Sequence, residues 1–159
     1  MLVWTAASAQ DSQSHIAREV RHELLTLPYY GVFDNLTFRA NGNIVTLLGQ
    51  VTRPSLRSDA EKAVKQIEGV LSVDNQIEVI APSREDDRIR LAVYTMTYGQ
   101  PLLGQYALRA VPPVHILVKT GNVTLEGTVD SEMDKTMFFT EASGVPGVSS
   151  VTNHLKIAP

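Results

Sequence analysis

The chain contains the same passage twice, and this internal repeat restricts the possible folds more than any other feature. Residues 45–79 align without a gap with residues 123–157, and ten aligned positions are identical. The identical pairs are Val45/Val123, Thr46/Thr124, Leu47/Leu125, Gly49/Gly127, Val51/Val129, Gly69/Gly147, Val70/Val148, Ser72/Ser150, Val73/Val151 and Asn75/Asn153. Upstream, PYYGVF at residues 28–33 corresponds to PLLGQY at residues 101–106. The repeat predicts two related units.

Hydrophobic periodicity predicts the order of elements within the first unit. Apolar residues at helical spacing within residues 16–27 predict an amphipathic helix. β-rich runs on either side of Asn41-Gly42 predict an antiparallel hairpin, because this dipeptide tolerates the positive φ angles of a tight turn. Pro54 and the apolar stripe after it predict a second helix, and residues 70–79 alternate as a third strand. The predicted order is αββαβ.

The second unit predicts the same order over residues 86–159, with a longer first loop. A right-handed crossover through the second helix makes the second and third strands parallel, and three strands offer one apolar face to two helices. The predicted fold class is therefore α/β, as an α+β sandwich of two tandem αββαβ units, each a small three-stranded mixed sheet with two helices on one face. The units are expected at residues 15–80 and 88–159, joined by a polar linker at residues 81–87.

The first residues resemble the end of a secretory signal. Ala7-Ser8-Ala9 fits a cleavage motif before Gln10, although a basic region and most of an apolar region are missing in front of it. A disordered tail with chance alanines is the alternative. Residues 1–14 are therefore expected to be a residual signal or a disordered tail, with the ordered fold starting near His15.

Composition excludes several classes of protein. The chain has 14 Lys and Arg against 17 Asp and Glu, a balance that gives no basic field for a nucleic acid backbone. It has no cysteine, so disulfides, thiolate catalysis and Cys-ligated zinc are excluded. No run of 18 apolar residues is present, so no membrane-spanning segment is predicted.

The repeated motif resembles a known family. A pattern G-x-V-x-L-x-G-x-V covers residues 43–51 and 121–129, and a second pattern, GV-x-x-V-x-N, follows at residues 69–75 and 147–153. Together these motifs resemble the BON domain, a small module named for bacterial osmotic-stress and nodulation proteins. The resemblance covers nearly all of residues 15–159; Asn43 departs from it, because the family usually has glycine at this position.

The resemblance implies a location and a role. Members of this family are periplasmic or envelope proteins without enzymatic activity, whose modules attach to phospholipid surfaces or to other envelope proteins. Tandem BON proteins that respond to osmotic stress have a similar layout. Composition and spacing alone support only a duplicated α/β sandwich.

A search of the sequence for catalytic or metal-binding motifs yields no candidate. The histidines, His15, His22, His115 and His154, show no metal-ligand spacing. The acidic run at residues 85–87 lies between arginines and is more simply a solvated linker and helix start. Neither a nucleophile elbow nor a glycine-rich phosphate loop is present. We therefore predict no catalytic residue, no metal and no cofactor.

The first candidate contact surface comes from a difference between the two copies. Asp59 and Glu61 of the first unit become Met137 and Phe139 of the second. Because Phe138 takes the core position between them, Met137 and Phe139 are surplus to the core and indicate a contact surface for lipid or a partner. Docking of this surface on the first unit is the alternative.

The second candidate is an aromatic and apolar set near the first helix of the second unit. It comprises Tyr94, Met96, Tyr98, Leu102, Leu103 and Tyr106, with Arg90 and Arg109 nearby. Rings beside arginines suit a membrane interface, where the cation pairs with lipid phosphate. Core packing accounts for the same residues equally well.

Two functions remain open from the sequence. The first is a non-catalytic envelope module that attaches to a phospholipid surface or an envelope protein. The second is a protein-interaction or self-assembly module without lipid binding, with a homo-oligomer as one form. Net acidity opposes strong attachment to anionic lipid, since each Lys or Arg near such a surface contributes only about 1 kcal/mol.

Overall fold

The computed structural model describes the backbone of residues 4–159 and the side chains from Asp11 onward. The elements are α1 (Trp4–Leu25), β1 (Asn35–Asn41), β2 (Ile44–Val51), α2 (Pro54–Lys65), β3 (Ser72–Asn75), β4 (Glu78–Val79), α3 (Arg84–Tyr98), a 3-10 helix (Gly104–Leu108), β5 (Val114–Lys119), β6 (Asn122–Val129), α4 (Glu132–Ser143), β7 (Ser150–Asn153) and β8 (Lys156–Ile157). The predicted fold class is confirmed, with the αββαβ order present twice. Helix α1 begins at Trp4, well before His15, and the signal-like residues 7–9 lie outside the described side chains.

Each sheet is organised around the second strand of its hairpin. In the first unit β2 lies between β1 and the parallel strands β3 and β4. In the second unit β6 pairs antiparallel with β5 and parallel with β7 and β8. The registers correspond: Val45 pairs with Val73 in the first sheet, and Val123 pairs with Val151 in the second.

The repeated asparagine explains why the predicted third strand is split into two short segments in each unit. The Asn75 side-chain carbonyl accepts a hydrogen bond from the Ile77 N–H at 3.2 Å, and its amide donates to the Arg57 carbonyl at 2.9 Å. Asn153 makes the same pair of bonds, with the Leu155 N–H and the Lys135 carbonyl. An asparagine that bonds the backbone two residues on forms a local turn, which interrupts the ladder and ties it to the preceding helix.

The helices bury one stripe each against the sheet. In the first unit α1 buries Ile16, Val20 and Leu24, while α2 buries Leu56, Ala60 and Val64. The second unit repeats this arrangement with Ile89 and Val93 on α3 and Phe138 and Ala142 on α4. Full burial of each such large side chain contributes about 1.5–3 kcal/mol, so these stripes account for much of the stability of either unit.

The second unit includes a short segment that the sequence pattern did not assign to it. It consists of Gly31–Asn35 together with Ile80–Pro159, while the first unit contains the chain up to Tyr30 and Leu36–Val79. The predicted boundaries followed the repeat, and a repeat carries no information about which unit a loop packs against.

Gly31–Asn35 covers the outer edge of β5. The Ile116 N–H donates a hydrogen bond of 2.7 Å to the Val32 carbonyl, so Val32 extends the sheet beyond its edge strand. The Phe33 ring meets the Tyr94 ring edge-on, with centroids 6.2 Å apart. His115, buried at 7% exposure, has its Nδ1 3.2 Å from the Gly31 carbonyl, and burial lowers its pKa. The edge of this sheet is therefore paired and buried.

One glycine is required by close backbone contact rather than by the turn alone. Gly127 has a φ of 127°, and a Cβ at this position would overlap the Pro113 carbonyl oxygen. Gly42, in the hairpin turn of the first unit, has a φ of 61° and open space around it. Both positions favour glycine because their φ angles are positive, but of the two only Gly127 also lacks the space for a side chain.

We expect Gly127→Ala to destabilise the second unit by more than about 2 kcal/mol, because it adds backbone overlap to an unfavourable φ. Gly42→Ala is the matched control and is expected to cost about 1 kcal/mol. Hydrogen exchange of the β5 and β6 amides measures the first variant, and exchange of the β2 amides measures the second. Equal losses in the two variants would contradict this account.

Candidate functional site: the helical face of the second unit

Exposed apolar side chains gather on the helices of the second unit. Leu91 and Met96 on α3 are 62% and 43% exposed, and Met133 and Phe139 on α4 are 65% and 40% exposed. At the corresponding places of the first unit α1 and α2 carry Arg18, Glu23, Ser55 and Glu61. Because the same fold forms with polar residues at these places, the four exposed apolar side chains are not needed for folding. An exposed cluster of this kind indicates a contact surface.

The two predicted residues of α4 lie on different sides of the helix. Residues two apart are separated by about 200° around a helix axis, and the buried Phe138 lies between them. Met137 is half-buried and packs against the core, whereas Phe139 is exposed. The sequence interpretation treated Met137 and Phe139 as one patch, but the two side chains lie on different sides of α4.

Met137 instead shares its side of α4 with Met133, one turn earlier. The two methionines line a shallow depression of about 410 Å³ whose other lining residues are Glu132, Thr136, Thr140 and Glu141. Residues four apart are neighbours on a helix surface, so this pair forms a continuous apolar strip. The strip is bordered by two acidic side chains.

A second depression, of about 400 Å³, lies between α3 and the end of α4. It is lined by Leu91, Ala92, Thr95, Met96 and residues 144–146. Arg88 lies near it, where its guanidinium binds Glu85 and donates a 2.8 Å hydrogen bond to the Pro146 carbonyl. This depression is more apolar than the one along α4, and no acidic side chain lines it.

Two of the buried members of the aromatic and arginine set are held by hydrogen bonds to β5. Arg90 is 4% exposed. Its Nη1 donates to the Asp87 carboxylate at 2.6 Å, and its Nη2 donates to the Val118 carbonyl at 2.7 Å. Its Nε has no hydrogen-bond partner among the described residues. The Tyr98 hydroxyl donates to the Val114 carbonyl at 2.7 Å, and burial raises its pKa. Both side chains tie α3 to β5, so neither reaches a lipid surface.

The other two buried members pack in the core beside α4. Leu103 is fully buried, and Tyr106 is 2% exposed. The Tyr106 hydroxyl donates to the Asp134 carboxylate at 2.5 Å and accepts from the Asp130 N–H at 2.9 Å. Burial and the hydrogen bond with Asp134 raise the pKa of Tyr106 to about 12. For these four residues the interface interpretation is corrected to a core role.

The remaining members of the set are accessible. Leu102 is 58% exposed, Arg109 is exposed, and Tyr94 is half-buried between Phe33 and Tyr98. Sequence reasoning missed Leu108, which is 87% exposed beside Arg109 at the end of the 3-10 helix. It also missed Leu91 and Met133 as site residues. Aligning the two first helices through their PYYGVF and PLLGQY ends places Leu91 opposite Arg18 and would have identified that residue.

The described side chains, Asp11 to Pro159, contain no group of three or more His, Asp or Glu residues that could hold a metal ion. Among the described helices, none is long and apolar enough to cross a bilayer. What this face offers chemically is apolar area with a few charges at its border, which suits binding rather than bond making.

Comparison with known proteins agrees with the repeat. The BON domain pattern matches residues 12–81 and residues 103–159, which together are most of the chain. The chain belongs to the BON domain family. The first matched segment covers most of the first αββαβ repeat, and the second covers the second repeat from the 3-10 helix onward, without α3. This is therefore a tandem BON protein.

One relative and two solved structures are similar to this BON protein. Osmotically-inducible protein Y of Escherichia coli (strain K12) is 33% identical over 124 residues, which cover 77% of this chain and 61% of the relative. Two structures of CdsD, a structural protein of the type III secretion system of Chlamydia trachomatis, align with TM-scores of 0.31 and 0.32 at 15% and 14% identity. They cover 89% and 91% of this chain and 96% and 93% of theirs. Scores this low support no argument about function.

We expect Tyr106→Phe to destabilise the second BON unit by about 1–3 kcal/mol, because it leaves the buried Asp134 carboxylate and the Asp130 N–H without their partner. Because the pKa of Tyr106 is raised in the folded protein, the hydroxyl contributes fully to the free energy of unfolding below about pH 10, and this contribution is lost as the pH rises towards 12. Urea unfolding at pH 7 measures the loss. Tyr29→Phe, at a 70% exposed position, is the control and should change stability by less than about 0.5 kcal/mol; similar values for both would refute the core role.

Proposed function

We propose that this tandem BON protein is a non-catalytic binding module of the bacterial envelope, located in the periplasm, whose second unit attaches to phospholipid surfaces. The observation that carries the proposal is the exposure of apolar side chains on the second unit, both around its 3-10 helix and on its helices, where the helices of the first unit carry polar side chains. The Ala7-Ser8-Ala9 motif supports export across the inner membrane. The name of the Escherichia coli relative supports a role in osmotic stress, although the chain spans only 61% of that protein.

The segment around the 3-10 helix is the best candidate for contact with lipid. Leu102 and Leu108 are 58% and 87% exposed, and Arg109 follows directly. Insertion of apolar side chains into the region between head groups and acyl chains, with a cation at the phosphates, is the usual arrangement at a membrane surface. Tyr94, Leu91, Met96 and Phe139 are exposed or half-buried residues elsewhere on the same unit and are further candidates for contact.

Insertion of apolar side chains is expected to contribute more free energy to membrane attachment than charge does. Full burial of a leucine contributes about 1.5–3 kcal/mol, so two leucines contribute several kcal/mol. One arginine near an anionic surface adds only about 1 kcal/mol, and the net charge of the chain is −3. We therefore expect weak, reversible attachment that depends little on salt.

Co-sedimentation with liposomes tests this proposal. The wild type is expected to bind vesicles with and without anionic lipid, with similar binding in low and high salt. The double variant Leu102→Asp/Leu108→Asp should lower the bound fraction at least about tenfold, because it removes the inserting side chains and adds charge. Circular dichroism confirms that the variant is folded.

A matched control comes from the first unit. Leu71 is 80% exposed, so Leu71→Asp removes a comparable apolar side chain outside the proposed surface and should leave binding unchanged. Negligible binding of the wild type to every vesicle, or equal losses for Leu71→Asp and the double variant, would rule out attachment to lipid through this surface.

The alternative is a protein-interaction or self-assembly module without lipid binding. The Met133 and Met137 strip favours it, because Glu132 and Glu141 beside the strip repel anionic head groups. Light scattering distinguishes the two functions. An oligomer that Met133→Glu or Phe139→Glu dissociates, in the absence of vesicle binding, assigns the surface to protein contact.

A further inference from the structure

The first unit contains a groove between α1 and β1. It has a volume of about 410 Å³ and is lined by Ala17, Arg21 and Leu25 from the helix and by Phe38 and Ala40 from the strand, among others. The lining is mainly apolar, and Arg21 is the one charged residue among its described members, with its guanidinium 5.9 Å from the centre of the Phe38 ring. A groove of this size with a few polar groups is typical of a binding site.

The same place in the second unit is filled. Arg90 stands where the first unit has Ala17, and its Nη2 bonds the Val118 carbonyl at 2.7 Å. The first unit repeats this contact with a shorter side chain, since Gln13 Nε2 donates to the Ala40 carbonyl at 3.0 Å. Ala17 and Ala40 thus leave open the volume that Arg90 and Val118 occupy.

The filling in the second unit is completed by an extended segment. Val32 pairs with Ile116 on the outer edge of β5, and Phe33 packs on Tyr94 of α3. The corresponding residues of the first unit, Phe38 and Arg21, both line the open groove. The second unit therefore shows how this place in the fold is filled: an extended segment adds to the sheet edge, with an aromatic ring against the helix.

The edge of β1 is oriented to accept such a strand. The N–H and C=O of one strand residue point to the same side, and the direction repeats every second residue. Because the Ala40 carbonyl is bonded by Gln13 of α1 rather than by β2, it points outward, and the backbone groups of Phe38, two residues earlier, point outward with it. These groups are the template for strand addition.

Neither repeat of the chain can supply the occupant. Gly31–Asn35 already belongs to the second unit, where it covers β5. The corresponding residues of the second unit form the 3-10 helix Gly104–Leu108, and its Tyr106 is buried. Neither of these two described segments is therefore the occupant.

We propose that the α1/β1 groove of the first unit binds an extended segment of a partner protein that carries an aromatic residue and, two positions later on the same face of the strand, an acidic one. The segment adds as a strand to β1, the ring lies on the apolar wall at Ala17 and Leu25, and the carboxylate pairs with Arg21. The acid is required because Arg21 replaces Tyr94 of the filled groove, so the wall that faces the occupant is cationic. This binding mode does not depend on the lipid surface proposed for the second unit.

Nuclear magnetic resonance titration of the ¹⁵N-labelled full chain tests this assignment. The probe is a blocked peptide with the sequence of residues 29–36 and the change Asn35→Asp, which places an aspartate two positions after the phenylalanine. A second peptide has Asn35→Lys instead. The aspartate peptide should shift the Phe38 and Ala40 amide signals saturably, and the lysine peptide should bind about fivefold more weakly. Arg21→Glu should reverse this preference, while Arg18→Glu, on the exposed side of the same helix, should leave it unchanged.

Ala17→Leu fills the groove with an apolar side chain and should weaken both peptides at least about fivefold, with the melting temperature preserved. Shifts confined to Ile116 and its neighbours, or an Arg21→Glu variant that keeps the wild-type preference, would overturn the proposal. It is also overturned if lysophosphatidylglycerol, but not the peptides, shifts Phe38 and Ala40. Concentration-dependent dimerisation that Ala17→Leu abolishes would assign the groove to a second copy and overturn it likewise.

Discussion

In a three-stranded sheet with helices on one face, the outer strand has a hydrogen-bonding edge that no other strand of the same repeat covers. Much of this structure follows from that constraint. In the second unit the constraint is met by Val32, whose carbonyl accepts the Ile116 N–H at 2.7 Å. The contact is backed by the Phe33 and Tyr94 rings and by the buried His115. An unpaired, buried amide costs about as much as a lost hydrogen bond, so this pairing allows β5 to be almost entirely apolar and buried.

The two units have diverged from this common frame in complementary ways. The second is closed at its β5 edge and apolar on its outer helical face, whereas the first carries polar helices and an open groove beside β1. The differences lie at positions that the fold leaves free. Leu91 and Arg18 are interchangeable for folding because both face outward, and Arg90 and Ala17 are both compatible with helices that pack on the same kind of sheet. A BON duplication of this kind can therefore carry two binding surfaces on one scaffold.

Sequence periodicity predicted the helices and strands, which depend on local pattern. It did not predict contacts between residues that are far apart in the chain. The stripes through Ile16 and Phe138 and the Asn41-Gly42 hairpin follow from spacing and turn geometry. The membership of Gly31–Asn35 in the second unit depends on packing against residues some 80 positions away, which no local pattern encodes. For Tyr98, Leu103 and Tyr106 the sequence left an interface role and a core role equally open, because an apolar side chain near a helix end has the same pattern whether it faces inward or outward. The Tyr106 bond to Asp134, which fixes it inside, joins residues 28 apart.

The most direct test of the account is the hydrogen exchange of two equivalent backbone amides. Ile116 and Phe38 occupy the same position on the outer strand of their sheets, one bonded to Val32 and the other facing an open groove. Measured by nuclear magnetic resonance on the full chain, the Ile116 amide is predicted to exchange more slowly than the Phe38 amide by at least about tenfold, after correction for intrinsic rates. Equal protection of the two amides, or faster exchange at Ile116, would contradict the claim that one edge is closed and the other open.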